Sequence, residues 1–105
     1  MKLLSLILLL DPLFAVTTSK FYDDSWAVII GINKYQNINI LNYAVDDAQD
    51  IHDMLIEKFY FPEDNISLLL NEEATYQNIK TSLYEMAEKV GKNDRLIIYF
   101  AGHGT

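Results

Sequence analysis

Leu96-Ile97-Ile98-Tyr99-Phe100-Ala101-Gly102-His103-Gly104-Thr105 opens with an unbroken apolar run rich in β-branched and aromatic residues. That composition predicts a strand buried on both faces, from Arg95 to Ala101, broken by a Gly-His-Gly turn. A histidine at the carboxyl end of a parallel strand stands where open α/β sheets gather their ligands. Gly102 and Gly104 leave the backbone beside it free to take positive φ or to approach a substrate closely. His103 is therefore a candidate general base, and the Gly104 N–H a candidate donor to a developing oxyanion. The competing reading is a structural or merely exposed histidine. The 105 residues contain no cysteine. A thiol nucleophile, a disulfide and a thiolate metal site are therefore not encoded within them.

Working back from that run, the same alternation repeats. Trp26-Ala27-Val28-Ile29-Ile30-Gly31-Ile32 is a continuous apolar stretch, the pattern of a strand covered on both sides. Residues 33–42 are rich in asparagine and read as a loop. Ala44, Ala48, Ile51 and Leu55 then recur at helical spacing and predict a helix to about Lys58. Asp46 and Asp47 fall in its first turn, where the helix dipole favours negative charge. Phe61-Pro62-Glu63-Asp64-Asn65 ends the unit, and Ile66 to Leu70 is a second short strand. Thr75 is a candidate N-cap for a second helix whose buried face is Ile79, Leu83, Met86 and Val90, with Gly91 as its C-cap. Strand, helix, strand, helix, strand implies an α/β fold with a mainly parallel sheet and right-handed crossovers. No sequence encoded after the last strand covers its far side, so the chain reads as the first βαβαβ portion of a larger domain, poorly soluble or partly folded alone.

The first residues stand apart. Met1-Lys2 precedes Leu3-Leu4-Ser5-Leu6-Ile7-Leu8-Leu9-Leu10, a positive start and an apolar core too short to span a bilayer. Residues 1–19 are read as a signal peptide and residues 20–25 as a polar linker, leaving 26–105 as the domain. A secreted or extracytoplasmic protein follows, with no membrane segment in the mature form. The alternatives are an N-terminal strand or amphipathic segment of the domain, and a cytoplasmic location. A net charge of −7 with only 8 Lys and Arg argues against nucleic-acid binding. The 50% apolar and 12% aromatic content is that of a folded chain rather than a disordered one. No EF-hand spacing and no phosphate-cradling glycine loop is present, so no metal and no cofactor are expected.

Three segments together are more specific than any one. Trp26 to Tyr35 opens the domain, Leu41-Asn42-Tyr43-Ala44-Val45-Asp46-Asp47-Ala48 opens the first helix, and Tyr99 to Thr105 ends the third strand. In this order they resemble the start of the catalytic domain of the caspase-like cysteine peptidases, the group of caspases and metacaspases, over about residues 25 to 105. The resemblance implies a three-layer fold and a Cys-His dyad, with His103 as the dyad histidine and Gly104 as the oxyanion-hole glycine. Caspases place the cysteine about 50 residues after the histidine, so these residues supply one half of the dyad. The resemblance also implies a peptide or protein substrate. Asp47 matches the acidic residue with which metacaspase-like members select Arg or Lys before the scissile bond, through a charge-assisted contact. Animal caspases use a basic pocket instead, and residues 35–50 hold no Arg or Lys.

Asp46 and Asp47 as plain first-turn residues remain the competing account. His52 reads as a boundary residue, Tyr43, Tyr99 and Phe100 as core, and Trp26 as packing at the sheet edge. At the level of function, the peptidase reading competes with a non-catalytic caspase-like binding or oligomerisation module. A flavodoxin-like ligand binder is a third possibility, without a phosphate loop to support it.

Overall fold

A computed structural model describes the backbone of residues 2–8, 21–33 and 43–104 and the side chains of 21–33 and 43–102. The element order is β1 (Lys2–Leu8), β2 (Ser25–Gly31), α1 (Tyr43–Phe59), β3 (Ile66–Leu70), α2 (Tyr76–Lys89) and β4 (Arg95–Gly104). Short 3₁₀ turns at Glu63–Asn65 and Asn71–Glu73 flank β3. One sheet has the order β1-β4-β2-β3. Strand β2 is parallel to β3 on one side and to β4 on the other, with Gly31 opposite both Leu70 and Ala101. The chain moves one way from β2 to β3 and returns past β2 to reach β4. Right-handed crossovers in opposite directions place the two helices on opposite faces, which gives three layers.

Alternation along the strands fills both interfaces. Ala27, Ile29, Ile97, Tyr99 and Ala101 face α1 and pack with Ala44, Ala48, Leu55 and Phe61. Val28 and Ile30 face α2 and pack with Met86, edged by Trp26, Ile79, Leu96 and Phe100. The α1 layer is the tighter of the two because small residues let the helix lie close to the sheet. A Cβ on Gly31 would stand 2.7 Å from Ala48 Cβ and 2.8 Å from the Ala44 carbonyl oxygen. Neither can retreat without moving the helix. Gly31→Ala is therefore expected to destabilise the fold by about 1–3 kcal/mol through overpacking, read as a lower urea midpoint. At Gly91 the nearest atom to an added Cβ is Asp94 Oδ2 at 3.2 Å, a contact that a shift of a few tenths of an ångström relieves. Gly91→Ala should therefore change the midpoint little.

The amino end of the sheet is held by polar contacts that local sequence patterns do not display. Arg95 is 1% exposed. Its guanidinium lies between the rings of Tyr22 and Phe61, 5.2 and 4.6 Å from their centroids. Its Nε and Nη2 donate to Ser25 Oγ at 3.2 and 3.1 Å. The expected linker is tied in as well. The Asp23 N–H bonds the Asn93 carbonyl, the Asp24 carbonyl accepts from the Arg95 N–H, and Asn65 Nδ2 donates to Asp24 Oδ1.

Trp26 Nε1 and the Gly91 N–H both donate to Asp94 Oδ2, at 2.9 and 2.7 Å. These bonds, the Gly91 amide first, hold the Asp94 carboxyl below its ordinary value of 3.8. A group whose folded pKa is depressed stabilises the fold above its unfolded pKa, and that stability is lost as pH falls through the folded pKa. Asp94→Asn should therefore flatten the acid side of the stability profile, as pH falls below the ordinary carboxylate value, measured as urea midpoints.

Several expectations are corrected. The Gly-His-Gly segment is not a turn: β4 stays extended through Gly104. Its outer edge pairs antiparallel with β1, in a register that sets Lys2 against Gly104, Leu3 against His103 and Leu4 against Gly102. Pairing on that edge holds the glycines in line. The same strand occupies the side of β4 expected to lie open. Residues Lys2–Leu8, within the stretch read as a leader, pair here as an edge strand of this sheet; the rest of residues 1–19, with any cleavage point, lies outside the described residues. Helix α2 is capped at its start as expected, with Thr75 Oγ1 accepting from the Asn78 N–H. It ends at Lys89 with Val90 as C-cap, and not at Gly91, whose N–H is taken by Asp94. Tyr43 is 64% exposed and not core, and Leu83 on the expected buried face is 39% exposed. Tyr99 is buried, as its place facing α1 requires.

Candidate active site

The carboxyl ends of β2 and β4 are neighbours in the parallel part of the sheet. Open α/β sheets gather their ligands outside this edge. Strand β4 brings Ala101 and Gly102, both buried, to this edge, with His103 and Gly104 as its last residues. The side chain of His103 lies outside the described residues. Beyond the end of β2, the Ile32 N–H still bonds the Ala101 carbonyl at 3.0 Å, so the two strand ends stay paired up to the edge.

Helix α1 starts at the same edge. Ala44 and Ala48 are fully buried over Gly31, and between them lie Asp46, exposed, and Asp47, partly buried. The first turn also carries N–H groups with no partner inside the helix, whose partial positive charge suits a carboxylate; Asp46 lies in that turn, and Asp47, expected there too, falls just past it because the helix starts at Tyr43. Topology thus brings the start of α1, with Asp47, and the end of β4, with His103, to one sheet edge. His52 stands more than a turn further along α1, partly exposed, its Nδ1 3.0 Å from Asp53 Oδ1. Trp26 lies at the opposite, amino end, bonded to Asp94.

Two asparagines at this edge went unread in the sequence. Asn33, expected as the start of a loop, is buried and bonded both to Asn71 and to α1. Asn71, expected as part of a polar turn, takes a left-handed φ of 48° directly after β3. The one signal available was the placement of an asparagine within two residues of the ends of β2 and β3, where an amide side chain can satisfy the strand's last polar groups.

Other features are remote from this edge. A groove of about 500 Å³ runs along the outside of α2, lined by Tyr76, Ile79, Lys80, Leu83, Tyr84 and Ala87. Lys80 Nζ stands 5.8 and 5.9 Å from the ring centroids of Tyr76 and Tyr84. Among the described residues no group of three or more His, Asp or Glu side chains is arranged to hold a metal. No helix among them is long and apolar enough to cross a membrane.

Comparison with known proteins agrees with this architecture. The caspase-domain model of the peptidase C14 family matches residues 24–105. Metacaspase-7 and metacaspase-4 of Arabidopsis thaliana are 31% and 32% identical over 84 residues, covering 75% of this chain. Metacaspase-1 of Eremothecium gossypii is 27% identical over 84 residues, 74% of the chain. The chain spans about a fifth of the length of these relatives, 21%, 20% and 19% in turn. The match of the caspase-domain model to residues 24–105, on a three-layer α/β sheet, makes this chain a member of the caspase-domain family, peptidase C14.

Proposed function

We propose that these residues form the first part of the catalytic domain of a cysteine-type endopeptidase that cleaves peptide bonds after Arg or Lys. The observation that carries the proposal is the meeting of the start of α1 and the end of β4 at the carboxyl edge of the parallel strands. In this reading His103 takes the proton of a cysteine thiol supplied by sequence outside these 105 residues. The thiolate sulfur attacks the scissile carbonyl carbon, and the resulting oxyanion accepts a hydrogen bond from the Gly104 N–H. The proton then passes from the imidazole to the leaving amine, and water hydrolyses the thioester that remains. The Asp47 carboxylate meets the guanidinium or ammonium of the residue before the cleaved bond. A peptide or protein is the substrate, and no nucleic acid is involved. Secretion by way of residues 1–19 belongs to the same proposal. It would remove β1 from the edge of β4.

A second reading is a non-catalytic binding module that uses the same sheet without a complete dyad. One experiment separates the two. The reading frame is sequenced past the codon for Thr105, and its complete product is assayed on peptides ending in Arg, Lys or Asp, with and without prior thiol alkylation. Alkylation-sensitive turnover of the Arg or Lys peptides supports the peptidase. A complete product without a cysteine, or one that turns over none of them, favours the module.

A further inference from the structure

The carboxyl end of β2 carries a buried side chain that the proposed chemistry does not use. Asn33 is 6% exposed. Its backbone N–H donates to Asn71 Oδ1 at 2.8 Å, and its own Oδ1 accepts from the Val45 N–H at 3.0 Å. The residue before it, Ile32, donates to the Ala101 carbonyl. Two consecutive residues therefore tie the end of β2 to β4, to the residue following β3, and to the first turn of α1.

The bond to Val45 is of the kind an N-cap makes, an oxygen accepting from an N–H that has no partner inside the helix. Here the oxygen comes from the sheet, so the bond satisfies the donor and also anchors the helix. Gly31 sets how closely α1 approaches the sheet, because Ala44 and Ala48 rest on it. A contact between small apolar groups does not stop the helix from sliding or turning about its axis. A directional bond at Val45 does, and Val45 lies two residues before Asp47 on a rigid turn.

We infer that Asn33 is a positioning residue for Asp47: it fixes the first turn of α1 against the β2–β4 edge and so sets where the carboxylate stands relative to the end of β4. The inference rests on the reading of Asp47 as the selector for a basic residue. Asn33→Asp retains the acceptor, and its charge faces the positive end of the helix. It is therefore the conservative variant.

The first test uses the 105-residue chain and amide hydrogen exchange. The Val45 amide should be protected, and Asn33→Ala should raise its exchange roughly tenfold. The amides of Ile29 and Ile97, in the core strands, should change less than about twofold, and Asn33→Asp should restore protection at Val45. An equal rise in helix and sheet would show a merely structural residue and overturn the inference. So would no change at Val45, or a Val45 amide unprotected from the start.

The second test uses the complete product of the reading frame. The ratio of kcat/KM for an Arg-ended peptide over its norleucine-ended counterpart should fall about tenfold in Asn33→Ala, through KM for the Arg peptide. Asn33→Asp should recover it. Equal losses on both peptides would overturn the positioning role and leave the peptidase standing. No turnover of either peptide by the unaltered protein would overturn the peptidase reading and the specificity role with it, while the exchange data would still report on the anchor.

Discussion

His103→Ala in the complete protein is expected to lower kcat by roughly 10²–10⁴, the usual worth of a positioned acid–base group. The backbone places His103 at the end of β4, a strand paired on both sides, so the substitution leaves the sheet in place. The loss should therefore come without a fall in thermal stability. The imidazole also promotes ionisation of the thiol, so alkylation of the cysteine by iodoacetamide should slow in the same variant. His52 supplies the control inside the same chain. It sits on α1, partly exposed and beside Asp53, away from the strand ends. His52→Ala should keep kcat within about twofold of the unaltered protein, as surface changes away from a site usually do. A full-strength His103→Ala enzyme would remove the dyad histidine from the proposal.

Asp47→Asn should reduce kcat/KM for Arg- and Lys-ended peptides by about 10- to 100-fold, the size of one lost hydrogen bond between charged groups. Turnover of a norleucine-ended peptide should hardly change, which separates lost recognition from lost folding. Asp46→Asn provides the comparison. Asp46 is exposed in the first turn of α1, where its interaction with the helix dipole amounts to about 0.3–1 kcal/mol of stability. It should leave the preference for basic residues intact. If both variants lose the preference equally, general negative potential and not a specific contact selects the substrate.

Most of the frame was legible because local pattern and tertiary role coincide there. Ile66–Leu70 has the same bounds in sequence and structure because a short apolar run between two polar turns has few other places to go. The two helices follow from their apolar spacing, and the family from three motifs in order. What stayed hidden depends on contacts between distant residues. Arg95 looks like a strand's polar first residue, and only the fold brings Tyr22, Ser25 and Phe61 around its guanidinium. Asn33 looks like the start of a loop until Val45 and Asn71 close on it. Lys2–Leu8 reads two ways in sequence, because the composition of a leader and that of an edge strand are nearly the same. The apparent turn at Gly102 to Gly104 was read from its two glycines, whereas the extended backbone there goes with pairing to β1, a long-range contact.

The register between β1 and β4 has a consequence for the order of events. Lys2 lies opposite Gly104, so the earliest residues made by the ribosome pair with some of the latest of these 105. Every other pairing in the sheet closes a shorter loop. Closing a long loop costs more entropy and is slower than closing a short one. Loop closure therefore favours forming the β2–β3–β4 unit with its two helices first and adding β1 afterwards. What joins last at a sheet edge also leaves most readily. The outer edge of β4 is therefore a position on which tenancy can change, while the Asn33-anchored edge beside it keeps its shape.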